Sequence, residues 1–269
     1  MGKDEVKTLD PLAVLIDGDN AQPMVITNLL HEVASLGEVV VKRIYGDFSN
    51  QKNSAWRKVI HNLAIRPIHQ YSFTKGKNAT DISLIIDAMD LLYSGHIKGF
   101  CLVTSDSDFT GLATRLRESG MKVYGFGEEK TPVSFRRACN KFILTEYLRE
   151  KVSEADSDSD QETESEETKE PPPPEGALRM DLPPPVVKMP LQLFQMAAEK
   201  TAREDGWASL AQFGGYINQI QPDFDSRKYG YKKLSDLVKA EKSIFKMEYR
   251  KAGGGAQIYI QLLVNGQAR

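Results

Sequence analysis

Cysteine is nearly absent, with only Cys101 and Cys139 in 269 residues. One pair cannot build a disulfide framework, and Cys101 lies inside an apolar run. Both therefore read as reduced, buried side chains of a cytoplasmic protein. No Cys-x-x-Cys pair or Cys/His cluster has zinc spacing. The four histidines, His31, His61, His69 and His96, are unclustered and read as structural or exposed. No run approaches the ~20 apolar residues of a membrane span. Met1-Gly2-Lys3-Asp4-Glu5 lacks the apolar core of a secretory signal. These absences predict a soluble cytoplasmic protein with no membrane partner.

Net charge is also small, at −2, but it is unevenly distributed. Residues 1–150 carry nineteen basic and eighteen acidic side chains, a net +1. Residues 151–188 carry four and eleven, a net −7, and residues 189–269 twelve and eight, a net +4. A neutral segment and a basic one thus flank an acidic stretch, and the basic end suits a polyanion. The length favours two domains. We delimit them as residues 1–149 and 189–265, joined by residues 150–188.

Residues 12–148 alternate strand and helix signals. Strands are predicted over 12–16, 38–45, 66–71, 99–104 and 122–126, the last of these closing the sheet. Helices are predicted over 23–36, 54–64, 81–93 and 109–118, with a final helical stretch from 133 to 139. Such alternation predicts an α/β fold, a Rossmann-like parallel sheet with helices on both faces. Residues 153–170 hold Asp, Glu, Ser and Thr with almost no apolar side chain, and proline runs follow at 171–174 and 183–185. This composition cannot bury enough surface to offset the entropy of ordering, so it reads as a solvated spacer. The alternative is an acidic tail that mimics nucleic acid and shields a basic surface. Residues 190–263 read as three helices followed by a hairpin with a Gly253-Gly254-Gly255 turn. That pattern predicts a small α+β winged-helix domain.

Chemistry concentrates in four carboxylate-bearing stretches: Asp17-Gly18-Asp19-Asn20, Thr80-Asp81, Asp87, and Ser105-Asp106-Ser107-Asp108. The first follows the apolar run Ala13-Val14-Leu15-Ile16, and the last follows Phe100-Cys101-Leu102-Val103. Acids just past buried strands project at the carboxyl edge of the sheet, where open α/β folds bind ligands. Several carboxylates there stay ionised together only with a cation, which suggests Mg²⁺ or Mn²⁺ and phosphate-ester hydrolysis. Asp19 is expected to point away from Asp17 if the strand continues. Asp19, Asn20, Asp81, Asp106 and Asp108 can each also be read as helix caps. Asp87 lies six residues beyond Asp81, about 240° around the helix, and is expected to brace a neighbouring loop or face solvent. Lys75 and Lys77 either contact a substrate phosphate or belong to a solvated basic loop.

With these motifs in order, residues 12–148 resemble the NYN domain, a branch of the PIN-like nucleases. The resemblance lies in Leu15 through Asn20, in Lys77 through Ile82 with Asp87-Ala88, in Val103 through Phe109, and in Lys122 through Gly127. The stretch from Ser134 to Phe142 also fits. It implies divalent-metal ribonuclease activity, with Asp17, Asp81, Asp106 and Asp108 as metal-binding carboxylates and Asn20 as their polar partner. The implied reaction is in-line attack of metal-activated water on an RNA phosphodiester. Asn140 departs from the pattern, because relatives commonly carry an acid there.

Residues 189–263 resemble the OST-HTH, or LOTUS, domain. The resemblance is carried by Met189-Pro190-Leu191, Gly206 through Leu210, Phe224, Tyr229 through Leu237 and the hairpin. It implies RNA binding, and some members bind proteins. Arg227, Lys228, Lys232 and Lys233 interleave with Tyr229 and Tyr231, so cations can meet phosphates while rings stack on bases. Otherwise both tyrosines pack in the core and the cations are solvated. The combined expectation is a metal-dependent endoribonuclease with a tethered RNA-targeting module. The alternatives are a non-catalytic RNA-binding regulator, a protein-interaction scaffold, and a haloacid-dehalogenase-like phosphatase, whose nucleophile motif Asp17-Gly18-Asp19 also fits.

Overall fold

A computed structural model describes residues 9–48, 54–69, 78–149, 189–252, 255–264 and 267–268. The spacer at 150–188, Lys75, Lys77 and the Gly253-Gly254 step of the hairpin turn lie outside the described residues.

Six parallel strands form the larger sheet: β1 (Pro11–Asp17), β2 (Glu38–Gly46), β3 (Arg66–His69), β4 (Gly99–Val103), β5 (Lys122–Gly127) and β6 (Lys141–Leu144). Their order is β3-β2-β1-β4-β5-β6. The period-2 alternation of strand side chains divides the interior into two cores. Ala13 and Leu15 of β1 and Phe100 and Leu102 of β4 enter one core. Leu12, Val14, Ile16, Cys101 and Val103 enter the other. Both faces of β1 and β4 are buried, so their sequences read as continuous apolar runs. Burying each large side chain stabilises the fold by about 1.5–3 kcal/mol.

Helix α1 (Ile26–Ala34) seals the second core with Ile26, Leu29 and Val33 at helical spacing, and α2 (Ser54–Asn62) adds Trp56. Helix α3 (Ala79–Tyr93) covers the first core through Leu84 and Ala88. It is joined there by α4 (Thr110–Glu118), through Leu112 and Leu116, and by α5 (Val133–Ala138), through Phe135. Cys101 and Cys139 are buried and free, as their apolar surroundings imply.

Strand β6 corrects the expectation that residues 122–126 close the sheet. It has four residues directly after a stretch that reads as helix, and Phe142, Ile143 and Leu144 are all buried. The helix expected over 23–36 begins as a 3-10 turn at Pro23–Val25, and α3 starts two residues earlier than expected.

The C-terminal unit packs α6 (Leu191–Thr201), α7 (Leu210–Ile220) and α8 (Leu234–Ala240) on a small antiparallel sheet. The sheet holds β7 (Trp207–Ser209), β8 (Phe245–Ala252), β9 (Gly255–Val264) and β10 (Gln267–Ala268). Phe194, Phe213, Phe224 and Phe245 interlock at its centre with ring centroids 5.6–6.1 Å apart. Strands β7 and β10 add to the expected three helices and hairpin. β7 was hidden beside Ser209, whose side chain caps α7. Among the described residues, no helix is long and apolar enough to cross a membrane.

Candidate functional site

Strand order reverses between β1 and β4, since successive connections leave the sheet centre in opposite directions from that pair. A crevice opens at such a switch point, outside the carboxyl ends of the strands. Asp17 is the last residue of β1 and continues the face of Ala13 and Leu15, toward α3. It is fully buried. Its Oδ1 accepts the Asp19 and Asn20 amides at 3.1 and 3.2 Å, and its Oδ2 accepts the Asn20 side-chain amide and the Thr104 hydroxyl, both at 2.8 Å. Thr104 continues the Phe100–Leu102 face of β4, so the same alternation brings it to Asp17.

The chain turns directly after Asp17. The Gly18 amide donates to the Tyr45 carbonyl at 2.8 Å. A Cβ on Gly18 would sit 2.7 Å from that oxygen, so glycine permits the close approach. The strand ends at Asp17, so the turn and not strand alternation places Asp19, and alternation would in any case put residues two apart on one face. The Asp19 carboxyl reaches the surface, yet its pKa is raised by partial burial and by the charge of Asp17, partly offset by a hydrogen bond from Thr80.

Asp81 stands in the first turn of α3, on the side that Asp17 faces. Its pKa is pushed up to about 6, by desolvation first and then by Asp17, Asp106, Asp19 and Asp108. Four carboxylates from two other stretches thus act on Asp81 at this edge. Asp106 follows β4. Its amide donates to Thr104 Oγ1 at 3.1 Å, and its carboxylate caps the Asp108 amide at 2.9 Å. Asp108 is exposed.

The donor set is all oxygen and strongly acidic, which suits a hard divalent cation. Among the described residues, no three Asp, Glu, His or Cys side chains close around a single point. The hydrogen bonds explain why: Asp17 is turned inward by four donors and Asp106 is turned to its cap. A cation would have to draw these side chains together.

Asp87 lies away from this group. It accepts hydrogen bonds from Arg43 and from the Tyr45 hydroxyl, so it braces α3 against β2 rather than a loop. Burial, followed by Asp87, drives the Tyr45 pKa upward. Asn140 stands at the opposite edge of the sheet, where its Oδ1 accepts the Val123 amide and its own amide donates to the Val123 carbonyl, both at 2.8 Å. The departure at this position therefore registers β5 against β6 and does not touch the carboxylates. The sequence assigned no role to Thr104, Thr80, Arg43 or Tyr45. Thr80 and Thr104 lay inside recognised motifs, whereas Arg43 and Tyr45 stood beside none.

In the C-terminal unit, Tyr229 stacks on Phe224 at 5.8 Å, and both Tyr229 and Tyr231 pack against the core. Arg227 pairs with Asp225 at 2.6 Å. Lys228 is half-buried, while Lys232 and Lys233 are exposed.

A family model described as NYN domain matches residues 11–146, and one described as OST-HTH/LOTUS domain matches residues 183–256. No curated protein matches. Among solved structures, an uncharacterized protein of Nitrosomonas europaea is 36% identical, with 39% of this chain and 93% of that one covered and a TM-score of 0.29. A protein of unknown function from Vibrio parahaemolyticus is 18% identical over 54% of this chain and 96% of its own, with a TM-score of 0.43. A Chromobacterium violaceum protein is 30% identical over 30% and 87%, with a TM-score of 0.24.

Proposed function

Because the chain belongs to the NYN domain family and carries an OST-HTH/LOTUS domain behind it, we propose that it is a divalent-metal-dependent endoribonuclease whose second domain delivers RNA. The observation that carries this reading is the meeting of Asp17, Asp19, Asp81, Asp106 and Asp108 at the switch point. Such a group of acids repels phosphate unless its charge is offset. Asp17, Asp81, Asp106 and Asp108 would hold Mg²⁺ or Mn²⁺, which lowers the pKa of a water and offsets charge on the phosphodiester.

The protein's own part is to orient. Thr104 and Asn20 fix Asp17 in one rotamer through the 2.8 Å hydrogen bonds. Without a cation, burial and the neighbouring acids push the Asp81 pKa up to about 6, and a bound divalent cation would favour its ionised form. The Asp87 brace holds the middle of α3 against β2, and α3 carries Asp81. Buried thiols in the first domain suit a cytoplasmic setting.

A second reading, the RNA-binding regulator without turnover, is favoured by one observation: every oxygen of Asp17 is already engaged by protein donors. Incubating the full chain with end-labelled RNA in Mn²⁺, Mg²⁺ or EDTA separates the two. Shortened RNA in metal alone supports the nuclease. Intact RNA that is still retained on a native gel supports the regulator.

A further inference from the structure

The junction of the two domains carries chemistry that the carboxylate site does not use. β6 is an outer strand of the large sheet, and outer strands present unpaired backbone groups. Here the Phe142 amide donates to the Pro222 carbonyl of the second domain at 2.8 Å. Arg136 pairs with Asp223 at 3.1 Å. Arg227 approaches Glu32 to 3.6 Å and lies over the Tyr147 ring, 5.4 Å from its centroid.

Beside these contacts opens a cleft of about 290 Å³. Lys141 and Glu32 line it from the first domain, and Asp225, Arg227, Lys232 and Lys233 from the second. Four cations face two carboxylates, a net charge of +2. Both acids are engaged: Asp225 holds Arg227, and Glu32 meets both Arg227 and Lys141, the latter at 3.8 Å. Lys232 and Lys233 are exposed and have no hydrogen-bond or ion-pair partner among the described residues. Two uncompensated ammonium groups beside two further cations form an electropositive recess, which attracts and concentrates anions. Lysine binds phosphate as a point charge and needs no fixed approach angle. The volume is near the lower end of ligand pockets, about 300–1,000 Å³, so a short run of backbone fits better than a folded RNA.

We infer that this cleft is a phosphate site for the RNA backbone, completed only when both domains contribute. The inference rests on the RNA reading above and assigns it a place. Helix α1 has nine residues and leads from the carboxylate edge toward the cleft, with Glu32 in its last turn. At about 1.5 Å per residue it spans roughly 14 Å. An RNA strand seated in the cleft therefore lies about a helix length from the carboxylate edge, beside the start of β6, and clamps the two domains together.

The test is fluorescence anisotropy of labelled single-stranded RNA against the full chain over a salt series. Wild type is compared with Lys141→Ala and with the double variant Lys232→Ala, Lys233→Ala. Each phosphate contact to a single strand contributes about 0.7 to the log–log salt slope, or about 5-fold in affinity at 0.1 M salt. Lys141→Ala is expected to weaken binding about 5-fold, and the double variant about 25-fold with a slope smaller by about 1.4. On the wild type, RNA is also expected to shield Lys141, Lys232 and Lys233 together from acetylation, read by mass spectrometry. Wild-type affinity and slope in both variants, with these lysines unshielded, overturn the cleft and leave the RNA reading standing. Release of the RNA by millimolar inorganic phosphate at matched ionic strength overturns the RNA assignment in favour of a free-phosphate site. No RNA retention by the wild type overturns the RNA reading itself.

Discussion

Asp17 and Asp81 belong to one acidic cluster, yet their amide replacements act on stability with opposite sign. Asp17 is buried and its two oxygens accept four hydrogen bonds. Asn in its place turns a donor toward donors, and leaving such groups unpaired costs about 1–3 kcal/mol each. Asp17→Asn is therefore expected to lower the urea midpoint clearly, relief of repulsion on the more exposed Asp81 being too well screened to offset the loss. Asp81→Asn removes a carboxylate whose charged form its neighbours oppose, so in EDTA it is expected to melt at or above the wild-type temperature. The pH dependence follows. The Asp81 pKa rises from an ordinary 3.8 to about 6 on folding, so the folded state holds this proton more tightly than the unfolded one. Stability from this group is complete below about pH 4 and is lost as pH rises through about 6. In EDTA the wild type should melt lower at pH 7 than at pH 5 by a margin that shrinks in Asp81→Asn, and Mg²⁺ or Mn²⁺ should restore melting at pH 7. An unchanged margin in the variant would separate Asp81 from this effect. At this scale Asp17, Asp106 and Asp108 were legible as acids just past apolar runs, and Asp81 as an acid at a helix start. The place of Asp19 was not, because the chain leaves the strand at a turn that Gly18 permits through its approach to the Tyr45 carbonyl, and residues two apart would share a face only if the strand continued.

At the scale of elements, α3 is positioned by its hydrogen bonds to β2 as much as by its apolar face. Asp87 receives the Arg43 guanidinium and the Tyr45 hydroxyl, and hydrogen bonds to a charged group contribute about 1.5–3 kcal/mol. Asp87→Ala is expected to lose about 2–3 kcal/mol of stability in chemical denaturation and to weaken Mn²⁺ binding, since α3 carries Asp81. Tyr45→Phe keeps the Arg43 pair and should lose less, about 1 kcal/mol. Equal losses in the two variants would assign the brace to the Tyr45 hydroxyl alone. Strands β1 and β4 were readable because both of their faces are buried. β6 and β7 were not, because each is short and abuts a stretch that reads as helix, residues 133–139 and 209–220, and tertiary pairing makes them strands. Asn140 shows the same limit: its departure from the family pattern looked chemical, but its hydrogen bonds to Val123 make it structural.

At the scale of the whole molecule, the second domain meets the β6 edge through polar contacts, and such interfaces open readily. Replacing Glu32 and Arg136 by Ala together removes the cross-domain pairs made by Arg227 and Asp223, while Arg227 keeps Asp225. The double variant is expected to show a larger radius of gyration by small-angle scattering at low salt, where the wild type stays compact. A wild type already as extended as the variant would deny the docking. The basic stretch from Arg227 to Lys233 was visible in sequence. Its division was not, with Arg227 held by Asp225 and Glu32 while Lys232 and Lys233 remain open, because Glu32 is brought there only by the fold. The most direct measurement is the cleavage rate of labelled single-stranded and structured RNA in Mn²⁺ or Mg²⁺, wild type beside Asp81→Asn, with both shown to be folded. Metal-dependent cleavage by the wild type, abolished in an equally stable variant, is the expected result. RNA left intact by the wild type in either metal, while still bound, would contradict the nuclease.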